Sequence, residues 1–360
     1  MSAIRFKHLA LIEPLGLLYG SSGRLLSPEA LTGHACEQFP PDSPAAAGLL
    51  ASQLGRADLE MLFTAGPFWL SASGDLMVPA PMVLIQERGG PTGGFSRHRL
   101  TWQDDGSQGG RPGWWHQAKA EHVGKRPSGG WIRLRDWPHP ANPEAAGAVI
   151  AIHDDPWKAV PHLHPKLRDD ERVSAGTGAL FLEYGIAVQP GVRLAYLCSH
   201  RIPDGVVRFG GEGHLAQLSF ARIPPLLEGL LHQPLEGSFS LLTPGLWGGP
   251  KISIREPIDT TIPRGHFPWR REGQSPGILT DRPRPWRYRL GAGSRDPSSS
   301  AGERPARRRL SRGRWAVPAG SCYRVAGEPL KPWAEWPEEW FPKEGFSFKH
   351  LGTALSLPIT

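Results

Sequence analysis

At 360 residues the chain is long enough to bury a sizeable core, but only 39% of it is hydrophobic, and 44 glycines with 38 prolines make up nearly a quarter of it; that composition predicts long loops. The net charge of +7 is unevenly placed: between Arg264 and Arg314 stand 14 arginines and no lysine against Glu272, Asp281, Asp296 and Glu303, a local 14 − 4 = +10 that leaves 7 − 10 = −3 for the rest. Cys36, Cys198 and Cys322 lie too far apart to outline a disulfide framework or a cysteine zinc site, and no apolar run approaches the roughly 20 residues that span a bilayer, so a cytoplasmic chain with no membrane partner is expected.

Taken in order, Phe6 to Glu13 reads as a first strand. The apolar run from Leu9 to Leu18 is interrupted by Glu13, Pro14 and Gly16 and lacks a cleavage region, which argues against a signal peptide. After Pro40-Pro41, the stretch Asp42-Ser43-Pro44-Ala45 starts a helix, with Ser43 as N-cap and Pro44 at the first helical position. Such a helix tip can offer free N–H groups to an anion. Phe68 to Leu70 and Leu76 to Val78, around Ser73-Gly74-Asp75, predict a hairpin. From about Gly89 to Pro143 the chain is rich in Gly, Pro, Arg, His and Trp with little periodicity and reads as an insertion, although Trp102, Trp114, Trp115, Trp131 and Trp137 are too many for a solvated linker.

A second cycle opens near Ala148. Leu180 to Tyr184 and Val192 to Leu197 alternate as strands, Ile223 to Leu231 reads as a helix, and Phe239 to Leu242 with Cys322 to Val325 supply further strands on either side of the basic segment. The expected fold class is therefore α+β: two tandem ferredoxin-like (RRM-like) domains with long Gly/Pro-rich insertions. The first covers residues 1–147 with an insertion around 89–143, and the second covers 148–360 with a basic insertion around 250–314.

The stretch Arg208-Phe209-Gly210-Gly211-Glu212-Gly213-His214 holds three glycines in four positions between apolar residues. Glycines free the backbone for positive φ and close approach, and bare N–H groups in such a turn can cup an anion, with Arg208 and His214 at its ends. By itself the pattern is equally that of a plain hairpin.

Four segments in order carry a likeness to a known family. The first is Ile12-Glu13-Pro14-Leu15 with Gly23-Arg24, then His34, then Phe39-Pro40-Pro41-Asp42-Ser43-Pro44 through Gly48. The second runs from Gly66-Pro67-Phe68 to Val78-Pro79-Ala80-Pro81. The third is Gly178-Ala179-Leu180-Phe181 leading to the Gly210 turn. The fourth sets Leu241-Leu242-Thr243-Pro244-Gly245 with Val317-Pro318-Ala319-Gly320-Ser321-Cys322-Tyr323. With these the chain resembles the third subunit of Cmr-type (type III-B) CRISPR effector complexes, a Cas-five-like RAMP protein, and the closing Gly345 to Gly352 is a degraded form of that family's last segment.

The resemblance implies tandem ferredoxin-like domains and a non-catalytic RNA-binding role. The subunit would grip the repeat-derived 5′ tag of the guide RNA and dock the large Cas-ten-type subunit and the adjacent backbone RAMP subunit of the filament, with no cofactor. Transferred by position, the RNA-binding candidates are Gly23, Arg24, His34, Ser43, Gly176, Thr177, Arg208, Gly210, Gly211, Gly213 and His214. Two departures stand out: Tyr19-Gly20-Ser21-Ser22 replaces an aromatic-Arg-Asp sequence, and His214 stands where arginine is usual.

Enzyme readings must use the histidines. His153, Asp154, Asp155, His162 and His164 are close in sequence, but Pro156, Pro161 and Pro165 interrupt the element that would fix a metal site. The competing reading is a RAMP endoribonuclease that processes repeat RNA with His34 or His214 as acid or base. No Gly-x-Ser-x-Gly elbow, Walker loop or His-Glu-x-x-His motif is present. The Arg-rich segment reads either as a solvated loop or as a polyanion contact.

Overall fold

The computed structural model describes residues 5–19, 39–87, 93–104, 112–116, 129–165, 180–210, 214–247, 255–257, 268–270, 277–288 and 310–359. In chain order the strands are His8–Pro14 (β1), Thr64–Leu70 (β2), Leu76–Pro79 (β3), Leu84–Glu87 (β4), Gly93–Gln103 (β5), Gly113–His116 (β6), Trp131–Arg133 (β7), Ile150–His153 (β8), Trp157–Pro165 (β9), Leu180–Val188 (β10), Arg193–Cys198 (β11), Gly205–Arg208 (β12) and Leu215–Ala221 (β13). Ser238–Leu241 (β14), Ile278–Leu279 (β15), Arg284–Trp286 (β16), Arg314–Ala316 (β17), Cys322–Arg324 (β18), Lys343–Glu344 (β19), Phe346–Ser347 (β20) and Ser356–Pro358 (β21) follow. The α-helices are Ser43–Ala51 (α1), Arg56–Glu60 (α2) and Pro225–Leu231 (α3).

One sheet of eleven strands dominates, in the order β12-β13-β1-β11-β2-β3-β7-β8-β5-β4 with β6 on β5, and its ladders are antiparallel. This corrects the expected α+β tandem of ferredoxin-like units. Strand takes 40% of the described residues and helix only 14%, and β1 lies between β11 and β13 rather than among strands of its own half.

The Trp-rich stretch read as a loop supplies β5, β6 and β7 to this sheet. Trp131 and Trp137 are buried there, and the Trp137 indole N–H donates to Pro358 O at 2.7 Å. The cost of leaving so many backbone groups unpaired is what draws such a segment into the ladder.

Both faces of the central strands are apolar, which is why they alternate between two cores rather than between core and water. On β1, Leu9 and Leu11 enter one cluster while Ala10 and Ile12 enter the other; on β11, Ala195 and Leu197 oppose Leu194, Tyr196 and Cys198 in the same way. The first cluster lies between the large sheet and a four-stranded sheet, β15-β18-β14-β21, with α3 and a set of buried tryptophans. The second is covered by α1, whose Ala46 and Leu50 pack against it.

Leu241 to Gly245 and Val317 to Tyr323, set together in the sequence likeness, are hydrogen-bonded neighbours: Gly245 and Val317 exchange two bonds of 2.9 Å, and Gly320 N donates to Leu241 O at 2.7 Å. The chain just after the second segment joins them, because Met82 N donates to Gly320 O at 2.8 Å.

Candidate nucleic-acid interface

The segment that follows β1 is tied on both sides. Leu15 N donates to Leu215 O at 3.0 Å, and Leu18 and Ile186 exchange bonds of 3.0 and 2.8 Å, so residues 15–19 run between β13 and the β9–β10 ribbon. Tyr19 ends this run. Its ring stacks on His214, centroids 4.7 Å apart at 22°, and meets His162 of β9 edge-on at 6.2 Å.

Glycine makes that approach feasible at two places. Gly210 has φ +88°, and a Cβ there would stand 3.0 Å from Tyr19 O. Gly185 of β10 lies against the same run; a Cβ would meet Leu17 Cδ1 at 3.0 Å and Tyr19 Cζ at 3.1 Å. Phe209 N donates to His214 O at 2.8 Å, closing the β12–β13 turn, and the buried Phe209 ring anchors it in the core. Arg208 remains exposed at the end of β12, an outermost strand of the sheet.

Of the eleven predicted contact residues, the structure brings Arg208, Gly210 and His214 to this corner. Gly23, Arg24, His34, Gly176, Thr177, Gly211 and Gly213 lie outside the described residues. Described residues that flank most of them in sequence meet here: Tyr19 comes four positions before Gly23, Gly210 adjoins Gly211, and the ribbon strand that precedes Gly176 and Thr177 in sequence ends three residues beyond His162, whereas His34 is nearer in sequence to Phe39. The approach of Tyr19 and His162 had no signal in the sequence, because neither sits in a recognisable motif.

Ser43 is elsewhere. It is the first residue of α1 rather than its cap: Asp42 holds the N-cap position, and the buried Ser43 hydroxyl bonds Thr64 Oγ1 at 2.7 Å. Thr64 pairs with Cys198 and Cys198 with His8, whereas the Gly210 turn adjoins Pro14, so the two lie at opposite ends of β1, roughly 20 Å apart at the ordinary strand rise. The Asp42 carboxylate makes no capping bond and is paired with Arg284 of the basic segment.

Several other arginines of that segment are also engaged. Arg270 pairs with the buried Glu256, Arg287 Nε donates to Ser311 O at 2.8 Å, and Arg314 bonds Glu344 at 2.8 Å while lying 4.6 Å from the Phe348 ring centroid. The sequence placed these residues in one basic block; the carboxylates of Glu256 and Glu344 come from other parts of the chain, and the Ser311 carbonyl from the block itself.

The histidines do not converge. His153 ends β8 in the large sheet while His162 lies in the separate β9–β10 ribbon, and no three metal-ligating side chains gather among the described residues. Burial is the main cause that lowers the His153 pKa below the usual imidazole value. His214 Nε2 is buried with no hydrogen-bond partner among the described residues. Burial also pushes the Cys198 thiol up to about 12 and that of Cys322 to about 11, so both are inert rather than nucleophilic. No helix among the described residues is long and apolar enough to cross a membrane.

No protein-family model matches the chain. No curated protein matches it. Among solved structures it is similar to a chain of the cryo-EM structure of the type III-B Cmr-beta bound to cognate target RNA, at 13% identity and TM-score 0.44, over 88% of this chain and 86% of that one. It is similar also to a chain of the same complex bound to cognate target RNA and AMPPnP, at 12% identity and TM-score 0.47, over the same shares of both chains. Scores below 0.5 at such identity decide no family.

Proposed function

We propose that this chain is the guide-RNA tag-binding subunit of a type III-B CRISPR (Cmr) effector. It holds the repeat-derived 5′ tag against the Gly210 corner, docks the large Cas-ten-type subunit and the adjacent backbone RAMP subunit, and does no chemistry on the RNA. The observation that carries this reading is the meeting at Tyr19 of the three stretches in which the sequence likeness places most tag contacts. Backbone N–H groups of a glycine turn, an exposed Arg208 beside it and neighbouring aromatic rings are what a single RNA strand uses: cations and amides for phosphate, rings for splayed bases.

His214 supports a binding role over the endoribonuclease alternative. A ring stacked on Tyr19, with Nε2 out of solvent, holds the turn in shape; it is poorly placed to pass a proton at a scissile phosphate.

Filter binding of an RNA oligonucleotide bearing the host's own 5′ tag, at 50 and 200 mM salt, tests the proposal, alone and with the large subunit present. Affinity that falls with salt and drops with Arg208→Ala is expected. No salt-dependent RNA affinity in either setting overturns it. Site-specific cleavage in chelator, abolished by His34→Ala or His214→Ala, would install the endoribonuclease instead.

A further inference from the structure

The two-stranded ribbon β16–β17 has a buried face and an exposed one. Its register pairs Arg284 with Ala316, Pro285 with Trp315 and Trp286 with Arg314. Inward, Trp286 and Ala316 are buried in a small core with Leu246, Phe348 and Leu351, and the Trp286 and Phe348 ring centroids stand 5.2 Å apart. Arg284 and Arg314 are the ionic fastenings of that face, to Asp42 and Glu344. The ribbon is therefore held firmly without any help from its outer side chains.

Outward stands Trp315, 55% exposed. A single exposed apolar residue is unremarkable by itself; its surroundings are what distinguish this one. Pro285 lies directly opposite, Arg287 follows the last residue of β16 and Arg312 stands two residues before β17, at one end of the ribbon, and Arg282 stands near the other end, all exposed. Among the described residues, no ion pair takes up the guanidinium of Arg282, Arg287 or Arg312. An exposed indole on a ribbon whose two ends carry three arginines outside any ion pair is complementary to a nucleobase with phosphates on both sides, and it repels a basic protein surface.

We infer that the outer face of β16–β17 is a second contact for single-stranded RNA, in which Trp315 stacks a base and Arg282, Arg287 and Arg312 meet the flanking phosphates. The site is confined to residues 282–287 and 312–315. It reads no sequence, since every base has a face to stack. Because β16 is fastened to Asp42 beside Ser43, this face belongs to the end of β1 remote from the Gly210 corner, and a strand occupying both would have to cross the molecule. The inference stands on its own residues and survives failure of the tag-binding reading.

The test uses the full chain and a fluorescein-labelled U15 RNA in an anisotropy titration, with a 4-thiouridine version for photocrosslinking. Trp315→Ala is expected to weaken binding about tenfold, with Trp315→Phe recovering most of it. An Arg282→Gln/Arg312→Gln variant should lower the slope of log affinity against log salt by about 0.7 for each phosphate no longer neutralised. Crosslinks should map to the peptide that contains Trp315. Thermal unfolding should stay unchanged in all three, because the residues face outward.

Unaltered affinity in Trp315→Ala together with crosslinks only around Arg208 overturns the inference and leaves the corner standing. Weakened binding in Trp315→Ala with Arg208→Ala neutral does the reverse. Binding of polyglutamate in place of RNA would make the face a contact for an acidic protein, and the RNA assignment would be withdrawn.

Discussion

Tyr19 lies nearly flat on His214, ring centroids 4.7 Å apart and planes 22° from parallel, although 195 positions separate them in the chain. The contact joins the segment after β1 to the turn between β12 and β13, and the edge of His162 joins the β9–β10 ribbon to both. Three separate parts of the chain are thus positioned by one phenol ring.

An aromatic stack of this kind contributes about 0.5–1.5 kcal/mol beyond its buried area. Tyr19→Ala should therefore loosen the Gly210 turn and weaken tag RNA binding roughly threefold to tenfold, while Tyr19→Phe, which keeps the ring and its stack, should lose less than Tyr19→Ala. Anisotropy titrations of both variants check this. Equal affinity in Tyr19→Ala would show that the corner does not shape the RNA surface.

Gly210 is held at φ +88° with Tyr19 O close to where a side chain would begin. Left-handed backbone costs an ordinary residue about 1–2 kcal/mol, and Gly210→Ala adds the crowding against that carbonyl. A loss of about 2 kcal/mol or somewhat more is expected in urea unfolding. The same substitution at Gly313, where a Cβ would meet nothing within 4 Å, should change stability by under about 0.5 kcal/mol.

Arg208→Ala should cost more tag affinity than Arg308→Ala. Arg208 is fixed at the end of a paired strand beside the turn, so little ordering entropy opposes its grip on RNA. Position 308 belongs to a run of three arginines, in which neighbours compensate for a single replacement. Parallel salt titrations of the two variants decide it. Equal effects would move the site away from the corner.

How much of this was legible beforehand depends on the range of the forces involved. The strand around Leu9 to Ile12, the helix after Pro41, the Ser73-Gly74-Asp75 hairpin and the Gly210 turn follow from local alternation and turn chemistry, and each is present. Strand β9 was hidden by Pro161 and Pro165, which suit it because among the described residues only one of its sides is paired, to β10. Strands β5 to β7 were hidden by a Trp-, Arg- and Gly-rich composition that carries no clean period. What partner a strand takes is not local at all: nothing around Leu194 announces that it will face Ile12. The same limit explains Ser43: a helix does start here, but Asp42 rather than Ser43 holds the N-cap, and the Ser43 hydroxyl is consumed by Thr64, 21 residues on.

Lys349 gives the molecule a pH-dependent weakness. Only 1% exposed, it donates to Ala334 O at 3.0 Å and to Trp336 O, with the Trp333 and Phe341 ring centroids 5.7 and 5.8 Å away. Burial above all, and Arg5 next, lower its pKa from 10.5 to about 8 against the raising effect of Glu338, Glu335 and Glu339. Between these two values the unfolded chain binds more protons than the folded one, so stability rises as pH climbs from about 8 toward 10.5 and is lost again as pH falls back through about 8. The swing attributable to this group is up to about 3 kcal/mol. Subtracting the pH dependence of Lys349→Met unfolding from that of the parent isolates it; a difference curve flat across this window would refute it.

A buried ion pair in the tryptophan core sets the last expectation. Glu256, 1% exposed, accepts the Trp269 indole N–H at 3.0 Å and Arg270 Nε at 3.0 Å, and Arg270 Nη2 as well. Desolvating such a pair uses up much of its attraction, so its presence is weak evidence of net stabilisation, but removing one member leaves the other charge stranded. Glu256→Gln should therefore cost about 3–5 kcal/mol, more than the loss of one neutral hydrogen bond. Arg270→Met should cost less than this in a Glu256→Gln background than in the parent, because the stranded guanidinium is then gone. A double-mutant cycle from urea unfolding measures the coupling; additive losses would mean that the two side chains act independently and that the indole bond, rather than the ion pair, ties Glu256 to the core.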